Sequence, residues 1–125
     1  MNGAPVRLSI QQFATRTGLS ADTLRYYEKI GLLRQVARDA SGYRVYGPRD
    51  LEWVGFILRL KDTGMALDDI IRYADLREHG ETTLAARQAL LETHAAKLRA
   101  RLARDSEHLA ALQAKIELYR RQTSP

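Results

Sequence analysis

The fold of this chain is decided by the stretch SADTLRYYEKIGLLRQVARDASGYRVY, residues 20–46. It opens with a helix-start signal, because the Ser20 hydroxyl can accept a hydrogen bond from an otherwise unpaired backbone N–H of the first turn. We therefore predict a helix from Ala21 to about Ile30. Gly31 ends this helix, since glycine readily adopts the left-handed conformation that closes many helices.

The residues just upstream predict a second short helix. Ser9 and Gln12 have the spacing of a capping box, in which each side chain pairs with the other residue's backbone N–H. Gly18 ends this helix, and Leu19 after it is expected to be a buried spacer. Two short helices joined by a tight turn with glycine at the bend predict a helix-turn-helix motif.

The rest of the stretch predicts a β-hairpin followed by further helices. Residues 33–37 and 43–46 have strand character, and residues 39–42 have turn chemistry. A hairpin directly after a helix-turn-helix motif is typical of a winged helix. A third helix is predicted from Pro48 to Gly64, and a fourth from about Leu67 to Leu76. The apolar stripes of these two helices consist of Leu51, Val54, Ile57, Leu58, Met65, Ile70, Ile71, Tyr73 and Ala74.

Residues 82–121 contain no glycine or proline, which predicts one long helix after a break at Gly80. Apolar residues recur in it with a heptad period that is broken only by Gln88 and Asp105. Such a helix would leave much of its stripe exposed on so small a domain. A coiled coil with a second copy is therefore favoured over a helix packed on its own domain. The heptad seam consists of Leu84, Gln88, Leu91, Ala95, Leu98, Leu102, Asp105, Leu109, Leu112, Ile116 and Tyr119.

The expected fold is mainly α: a winged helix-turn-helix domain at residues 1–79, a long coiled-coil dimerisation helix at 80–121 and a tail at 122–125. Asp105 would be costly if buried in the seam. We hypothesise that it fixes an antiparallel register by meeting the partner's Arg101 or the partner's Arg104. The predicted dimer interface consists of Leu84, Leu91, Ala95, Leu98, Leu102, Asp105, Leu109, Leu112 and Ile116.

Composition narrows the class of partner. The net charge of +5 and the pI of about 9.8 favour a polyanion such as nucleic acid, or a membrane surface. The absence of cysteine excludes disulfides, thiolate metal sites and thiol redox sensing. The first residues do not resemble a secretory signal, and no apolar run approaches the roughly 18 residues of a membrane span. We therefore expect a cytoplasmic protein that does not bind membranes.

One face of the second helix is a candidate DNA-reading surface. Asp22, Arg25, Tyr26 and Lys29 fall on it together. Arg25 can contact a phosphate or a guanine edge, and Tyr26 and Thr23 can reach phosphates or a thymine methyl group. The alternative is a solvated polar face. DNA is favoured because this face follows the tight turn, where a recognition helix begins, and because the hairpin adds three arginines.

The arginines of the hairpin are Arg34, Arg38 and Arg44. Arg44 stands between two tyrosines on a projecting ribbon, which suits contact with the DNA backbone or the minor groove. Lys61 near the end of the third helix is a further candidate, with plain solvation as the alternative. The predicted DNA-binding residues are Ser20, Thr23, Arg25, Tyr26, Tyr27, Arg38, Arg44, Tyr46 and Lys61.

These residues resemble the signature of the MerR family of transcription regulators. The matching positions are Thr23 to Glu28, Gly31 to Leu33, Arg38, Gly42 to Arg44, Tyr46, Asp50, Leu51, Ile57, Lys61, Gly64, Met65, Leu67, Asp69 and Ile70. The resemblance implies a winged helix-turn-helix domain, an antiparallel coiled-coil homodimer and a palindromic promoter whose spacer is bent and untwisted for RNA polymerase. It also implies that Arg25, Tyr26 and Arg44 touch DNA. Two departures are Val36, where the family usually has proline, and Ala66, where it has a helix-capping serine or threonine.

The inducing signal is not evident from the sequence. Branches of the family that sense metals or redox state use cysteines, which this chain lacks, and we expect no cofactor. His94 and His108 are too far apart on one helix to share a metal ion. The main competing interpretation is a coiled-coil interaction protein whose winged helix binds protein. An enzyme is disfavoured, since no nucleophile–base pair, metal-ligand set or phosphate loop is evident.

Overall fold

The computed structural model describes residues 7–125, so the predicted start of the first domain at residue 1 lies outside the described residues. The chain separates into two units, Met1–Leu90 and Leu91–Pro125. The element order in the first unit is that of a winged helix-turn-helix domain, which confirms the predicted fold class. Along the part of the chain that is described, no helix is both long and apolar enough to cross a membrane.

The two helices of the helix-turn-helix motif form where the caps predict. Helix α1 is Ile10–Thr17, and its capping box joins the Ser9 and Gln12 side chains to each other's backbone N–H groups at 3.2 and 2.9 Å. Gly18 closes α1 in the left-handed conformation at φ 76°. Helix α2 is Ala21–Lys29.

The segment after α2 is less regular than predicted. The backbone N–H groups of Leu32 and Leu33 both donate to the carbonyl oxygen of Tyr27, at 2.8 and 3.1 Å, and so close the end of α2. Gln35 then adopts a positive φ of 55°, which is not a strand conformation. The predicted strand at residues 33–37 is therefore corrected: strand β1 is only Ala37–Arg38.

The hairpin, or wing, pairs β1 with strand β2, Arg44–Val45, in antiparallel register. The Asp39 carboxylate accepts hydrogen bonds from the backbone N–H groups of Ser41 and Tyr43, at 2.9 and 3.0 Å, which holds the turn. The base of the wing is anchored by Tyr46, which exchanges two backbone hydrogen bonds of 2.8 Å with Leu8. The wing is therefore fixed at both its tip and its base.

Two further helices complete the first unit. Helix α3 is Pro48–Asp62 and helix α4 is Leu67–Glu78. Ala66 leaves the start of α4 without a side-chain cap, as its sequence indicated, while Asp68 and Asp69 place negative charge in the first turn. This charge partly offsets the lost cap through the helix dipole.

The core lies between α1, α2, α3 and α4. In α3, Leu51 and Leu58 are only half-buried, whereas Trp53 and Leu60 occupy core positions that the predicted stripe omitted. The buried apolar residues are Leu8, Phe13, Ala14, Leu24, Tyr27, Leu32, Leu33, Tyr46, Trp53, Val54, Ile57, Leu60, Met65, Ile70 and Ala74. Leu19, expected to be a buried spacer, is half-buried.

A 3₁₀ turn at Gly80–Thr83 leads into helix α5, Leu84–Thr123. Gly80 has a φ of 82°, so the predicted break falls at a residue whose backbone conformation favours glycine. None of the residues of α5, all of which are described, is buried. Most of its large apolar side chains are exposed, among them Leu84, Leu102, Leu109, Leu112, Ile116 and Tyr119, whereas Leu91 and Leu98 are half-buried.

Candidate nucleic-acid interface

Helix α2 has one buried face and one exposed face. Leu24 and Tyr27 point into the core, while Tyr26 remains 51% exposed. Asp22, Arg25 and Lys29 are exposed beside Tyr26. The polar face predicted for this helix is therefore confirmed to lie in solvent. It offers two cations and a phenol hydroxyl on a helix that directly follows a tight turn.

Arg25 is pre-positioned on this face by Asp22. Its Nη1 donates to Asp22 Oδ1 at 2.9 Å, one helical turn away. The Asp22 side chain is 94% exposed, and exposed pairs of this kind contribute about 0–1 kcal/mol to stability. Arg25 can therefore exchange this carboxylate for a phosphate or a base edge at little cost.

Ser20 and Thr23 organise the start of α2. The Ser20 hydroxyl accepts from the Thr23 backbone N–H at 3.0 Å and donates to the Thr23 hydroxyl at 2.9 Å. These two predicted DNA-binding residues are thus paired with each other at the N-terminus of α2. A helix N-terminus on the exposed side of a domain favours a phosphate group.

An ion pair attaches the wing to α2. Arg44 Nε on β2 donates to Glu28 Oε1 on α2 at 2.7 Å, and both side chains are half-buried. Among the described residues, the two terminal nitrogens of Arg44 have no protein partner. They remain available to bind a phosphate in the bidentate manner that suits a guanidinium group. The pair therefore joins the wing and α2 into one surface.

Lys61 extends this surface from α3. Its Nζ donates to the Tyr27 hydroxyl at 2.9 Å and lies 5.3 Å from the centre of the Tyr27 ring. Tyr27 itself is only 3% exposed. Its predicted contact with DNA is therefore corrected, and the structure gives it the role of positioning Lys61 next to α2.

The predicted contact of Tyr46 with DNA is not compatible with its burial. It is 1% exposed and stacks on Phe13 with the ring centroids 4.1 Å apart and the planes almost parallel. Among the residues that the structure describes, its buried hydroxyl has no hydrogen-bond partner, and burial raises the pKa of Tyr46. Tyr46 cannot reach DNA from this position, and it instead holds the base of the wing against α1.

Arg34 does not belong to the basic hairpin surface to which the sequence assigned it. Its Nη1 donates to Asp75 and to Glu78 of α4, both at 2.8 Å, and its Nε donates to the Gly31 carbonyl at 2.8 Å. The hydrogen bond to Glu78 is the largest cause of a raised Arg34 pKa. The charge of Arg34 is therefore neutralised locally, which leaves Arg38 and Arg44 as the cations of the wing.

The tip of the wing adds one residue that the predicted set omitted. Tyr43 is 72% exposed and follows the turn that Asp39 holds. Arg38 Nη1 donates to the Gly42 carbonyl at 2.9 Å, so the arginine supports the same turn. The signal for Tyr43 was present in the sequence, because an aromatic residue directly after a glycine turn lies at the tip of a hairpin.

The chain is similar to known families and proteins over most of its length. Residues 8–76 match the family described as MerR HTH family regulatory protein, and residues 51–114 match the family described as MerR, DNA binding. An HTH-type transcriptional regulator of Haemophilus influenzae is 37% identical over 108 residues, which span 86% of this chain and 80% of that protein. The HTH-type transcriptional regulator AdhR of Bacillus subtilis is 39% identical over 67% of this chain and 60% of its own length.

Solved structures show the same likeness. HiNmlR, described as a MerR family regulator lacking the sensor domain and bound to promoter DNA, superposes with a TM-score of 0.82 and 34% identity, covering 93% of this chain and 92% of that one. A MerR family transcriptional regulator of Listeria monocytogenes superposes with a TM-score of 0.84 and 37% identity, covering 94% of this chain and 87% of the other. The similarity therefore extends beyond the winged helix to most of the chain.

Proposed function

This chain belongs to the MerR family of DNA-binding transcription regulators, and from this premise we propose that it binds one palindromic promoter site as a homodimer. Each copy contributes one winged helix, with α2 in the major groove and the wing on the adjacent backbone. Two winged-helix domains related by a two-fold axis require a DNA site with matching symmetry. The proposed location is the cytoplasm, where promoter DNA is accessible.

The observation that carries this proposal is the ion pair between Arg44 and Glu28. It joins the wing to the recognition helix, so that cations from α2, β2 and α3 form one surface. The residues proposed to contact DNA are Thr23, Arg25, Tyr26, Arg38, Tyr43, Arg44 and Lys61, with the N-terminus of α2 at Ser20. Phosphate contacts set the register on the duplex, and base-edge contacts from α2 provide the specificity.

The apolar stripe of α5 supports the homodimer. Leu102, Leu109 and Leu112 are all more than half exposed, and the stripe continues along the heptad seam. A second copy of α5 would cover these side chains, which makes association favourable through burial of apolar surface. We further propose that the Asp105 carboxylate meets an arginine of the partner and fixes the antiparallel register.

The mode of control follows from the symmetric pair. A homodimer that contacts both half-sites can bend and untwist the spacer between them, since protein contacts offset the cost of deforming DNA. A spacer that is too long for RNA polymerase would then present both promoter elements in usable alignment. The relatives named above are transcriptional regulators, and the chain is proposed to act without a catalytic step.

A selection of bound duplexes from genomic DNA tests this function. We expect one palindromic sequence to be enriched, and its position between promoter elements shows whether the spacer is the target. Affinity for that duplex is expected to fall steeply with salt, because bound phosphates release counterions. Failure to enrich any sequence, with the dimer intact, would contradict the proposal and favour a protein-binding winged helix.

A further inference from the structure

An open cavity of about 320 Å³ lies in the first unit, away from the polar face of α2. Its walls come from α3, α4 and the first turns of α5. The volume is near the lower end of the range of roughly 300–1,000 Å³ that is usual for small-molecule sites. Nothing in the DNA-binding surface described above uses this cavity.

Three aromatic side chains form one wall. The Trp53 and Tyr73 rings lie 5.8 Å apart with their planes within 16° of parallel, and Phe56 lies 5.6 Å from Tyr73. Phe56 and Tyr73 are only half-buried, so part of each ring faces the cavity. Such a wall favours a flat ring that can stack against it.

Three arginines line the same cavity. Arg77 lies over the Trp53 ring at 4.5 Å, and Arg87 is held at the start of α5 by bonds to the Gly80 carbonyl and the Thr83 hydroxyl, at 3.0 and 3.1 Å. Arg49 completes the set from the first turn of α3. In the part of the chain that is described, none of these guanidinium groups forms an ion pair. Of the described residues that line the cavity, Glu52 alone carries a carboxylate, so this lining keeps a net positive charge.

We propose that this cavity binds a small planar aromatic carboxylate. The ring stacks on the aromatic wall, and the carboxylate accepts charge-assisted hydrogen bonds from Arg49 and Arg77, while the charge of Arg87 lies beside them. A neutral aromatic molecule would bring no negative charge to the arginines, and an aliphatic acid would lose the stacking, so the site selects for both features.

The cavity is connected to the recognition helix by two hydrogen bonds. Trp53 Nε1 donates to the Leu32 carbonyl at 2.8 Å, and the Leu32 backbone N–H donates to the Tyr27 carbonyl in α2 at 2.8 Å. A ligand that displaces the Trp53 ring therefore acts on the residue that closes α2. This regulatory part of the inference rests on the proposed function, and it makes the cavity an effector site.

Trp53 is the single tryptophan of the chain, so its fluorescence reports on this cavity directly. The probe is phenylacetate, titrated into the full-length dimer up to millimolar concentration. We expect a saturable change, with phenylacetamide and cyclohexylacetate each binding at least about tenfold more weakly. A signal that does not saturate, or equal binding of phenylacetamide, would overturn the site.

Two variants test the residues. Arg77→Gln and Arg49→Gln are each expected to weaken phenylacetate about tenfold, whereas Arg59→Gln is expected to have no effect. Arg59 lies on α3 outside the cavity and serves as the matched control for charge. Unchanged binding by both Arg49→Gln and Arg77→Gln, with native circular dichroism, would overturn the carboxylate assignment.

The coupling is tested on the selected operator duplex. Saturating phenylacetate is expected to change the dissociation constant of the wild-type protein for the duplex at least about fivefold. Trp53→Phe keeps a ring but lacks the N–H that reaches Leu32. Calorimetry is therefore expected to show that this variant still binds phenylacetate, while its dissociation constant for the duplex no longer changes. An unchanged dissociation constant for wild type would overturn the coupling, whereas absence of any duplex binding would instead contradict the proposed function.

Discussion

Arg44 on the wing and Glu28 on α2 form an ion pair 2.7 Å long that joins two elements sixteen residues apart in sequence. An acidic residue beside DNA ordinarily weakens binding, because it repels phosphates. Here the carboxylate holds a cation in place, so its removal has two opposite effects. The geometry predicts that the loss of position outweighs the loss of repulsion.

Glu28→Ala is therefore expected to weaken operator binding by about 1–2 kcal/mol, which is the scale of one lost charge-assisted hydrogen bond. Glu28→Gln keeps an oxygen that can accept from Arg44 Nε and should stay close to wild type. Fluorescence anisotropy with the operator duplex measures both variants. Asp22→Ala removes an exposed carboxylate from the same helix and is the control. Tighter binding by Glu28→Ala would show that Glu28 acts only through its charge.

Arg25→Ala is expected to cost roughly 1–3 kcal/mol on the operator duplex and to reduce discrimination at the base that Arg25 contacts. The reason is that Arg25 lies on the exposed face of α2 and can leave Asp22 at little cost. Competition with single-base variants of the operator measures the change in discrimination. Arg121→Ala at the end of α5 is the control for loss of one positive charge. Full specific affinity in Arg25→Ala would remove this residue from the interface.

Tyr46→Phe tests whether the Tyr46 hydroxyl lies in the core or contacts DNA. Its buried hydroxyl has no partner among the described residues, so deleting it removes a desolvation cost. We expect the free energy of unfolding to rise by about 1 kcal/mol and the affinity for DNA to stay unchanged. Urea denaturation and anisotropy measure the two quantities. A loss of DNA affinity with stability intact would restore Tyr46 as a contact residue.

The contacts of Glu78 predict a specific dependence of stability on pH. Hydrogen bonds from Arg34, and then from Gln35, hold the pKa of Glu78 below its ordinary value of 4.5. Because the folded pKa lies below the unfolded one, this stabilisation is fully present above about pH 4.5 and is lost as the pH falls through the folded value. The melting temperature of wild type should thus exceed that of Glu78→Gln at neutral pH, and the difference should shrink in acid. Glu81→Gln, which has no such partner among the described contacts, should track wild type.

The seam of α5 makes a prediction about assembly. Leu109→Glu places a charge on an exposed part of the apolar stripe, so it should shift the protein from dimer to monomer while the winged helix stays folded. Light scattering measures the mass, and a monomeric wild type would contradict the dimer itself.

Asp105→Leu tests the register of the two helices. Equal dimer stability and unchanged helix orientation in this variant would exclude a register role for Asp105.

The sequence predicted the elements whose signals are local. Ser9, Ser20, Gly18 and Pro48 marked the helix boundaries, because caps and glycine turns act within a few residues. The family signature in residues 8–76 then identified the winged helix. These features follow from neighbouring residues in the chain and need no knowledge of tertiary contacts.

The errors in the candidate site concern residues whose partners are distant in sequence, whereas the strand predicted at residues 33–37 failed for a local reason, the positive φ of Gln35. Arg34 was counted among the hairpin arginines that favour DNA binding, although not among the predicted contact residues, yet its partners Asp75 and Glu78 lie more than forty residues away. Tyr46 was assigned a contact with DNA, but Phe13 covers its ring. Glu28 was noted only as part of a signature, although it positions Arg44. A sequence shows which residues are charged or aromatic, but it does not show which distant side chain will pair with the charge or stack on the ring.

The absence of any buried residue in α5 has a consequence for the amount of protein that a cell must make. Until a second copy covers it in the proposed homodimer, this helix is held mainly by its own backbone hydrogen bonds, whereas most of the stability of helices in proteins comes from tertiary packing of their apolar face. Folding of this third of the chain is therefore tied to concentration by mass action. Scarce chains would present frayed segments to proteases, so the pool of active regulator should show a threshold in synthesis rate below which little of it accumulates.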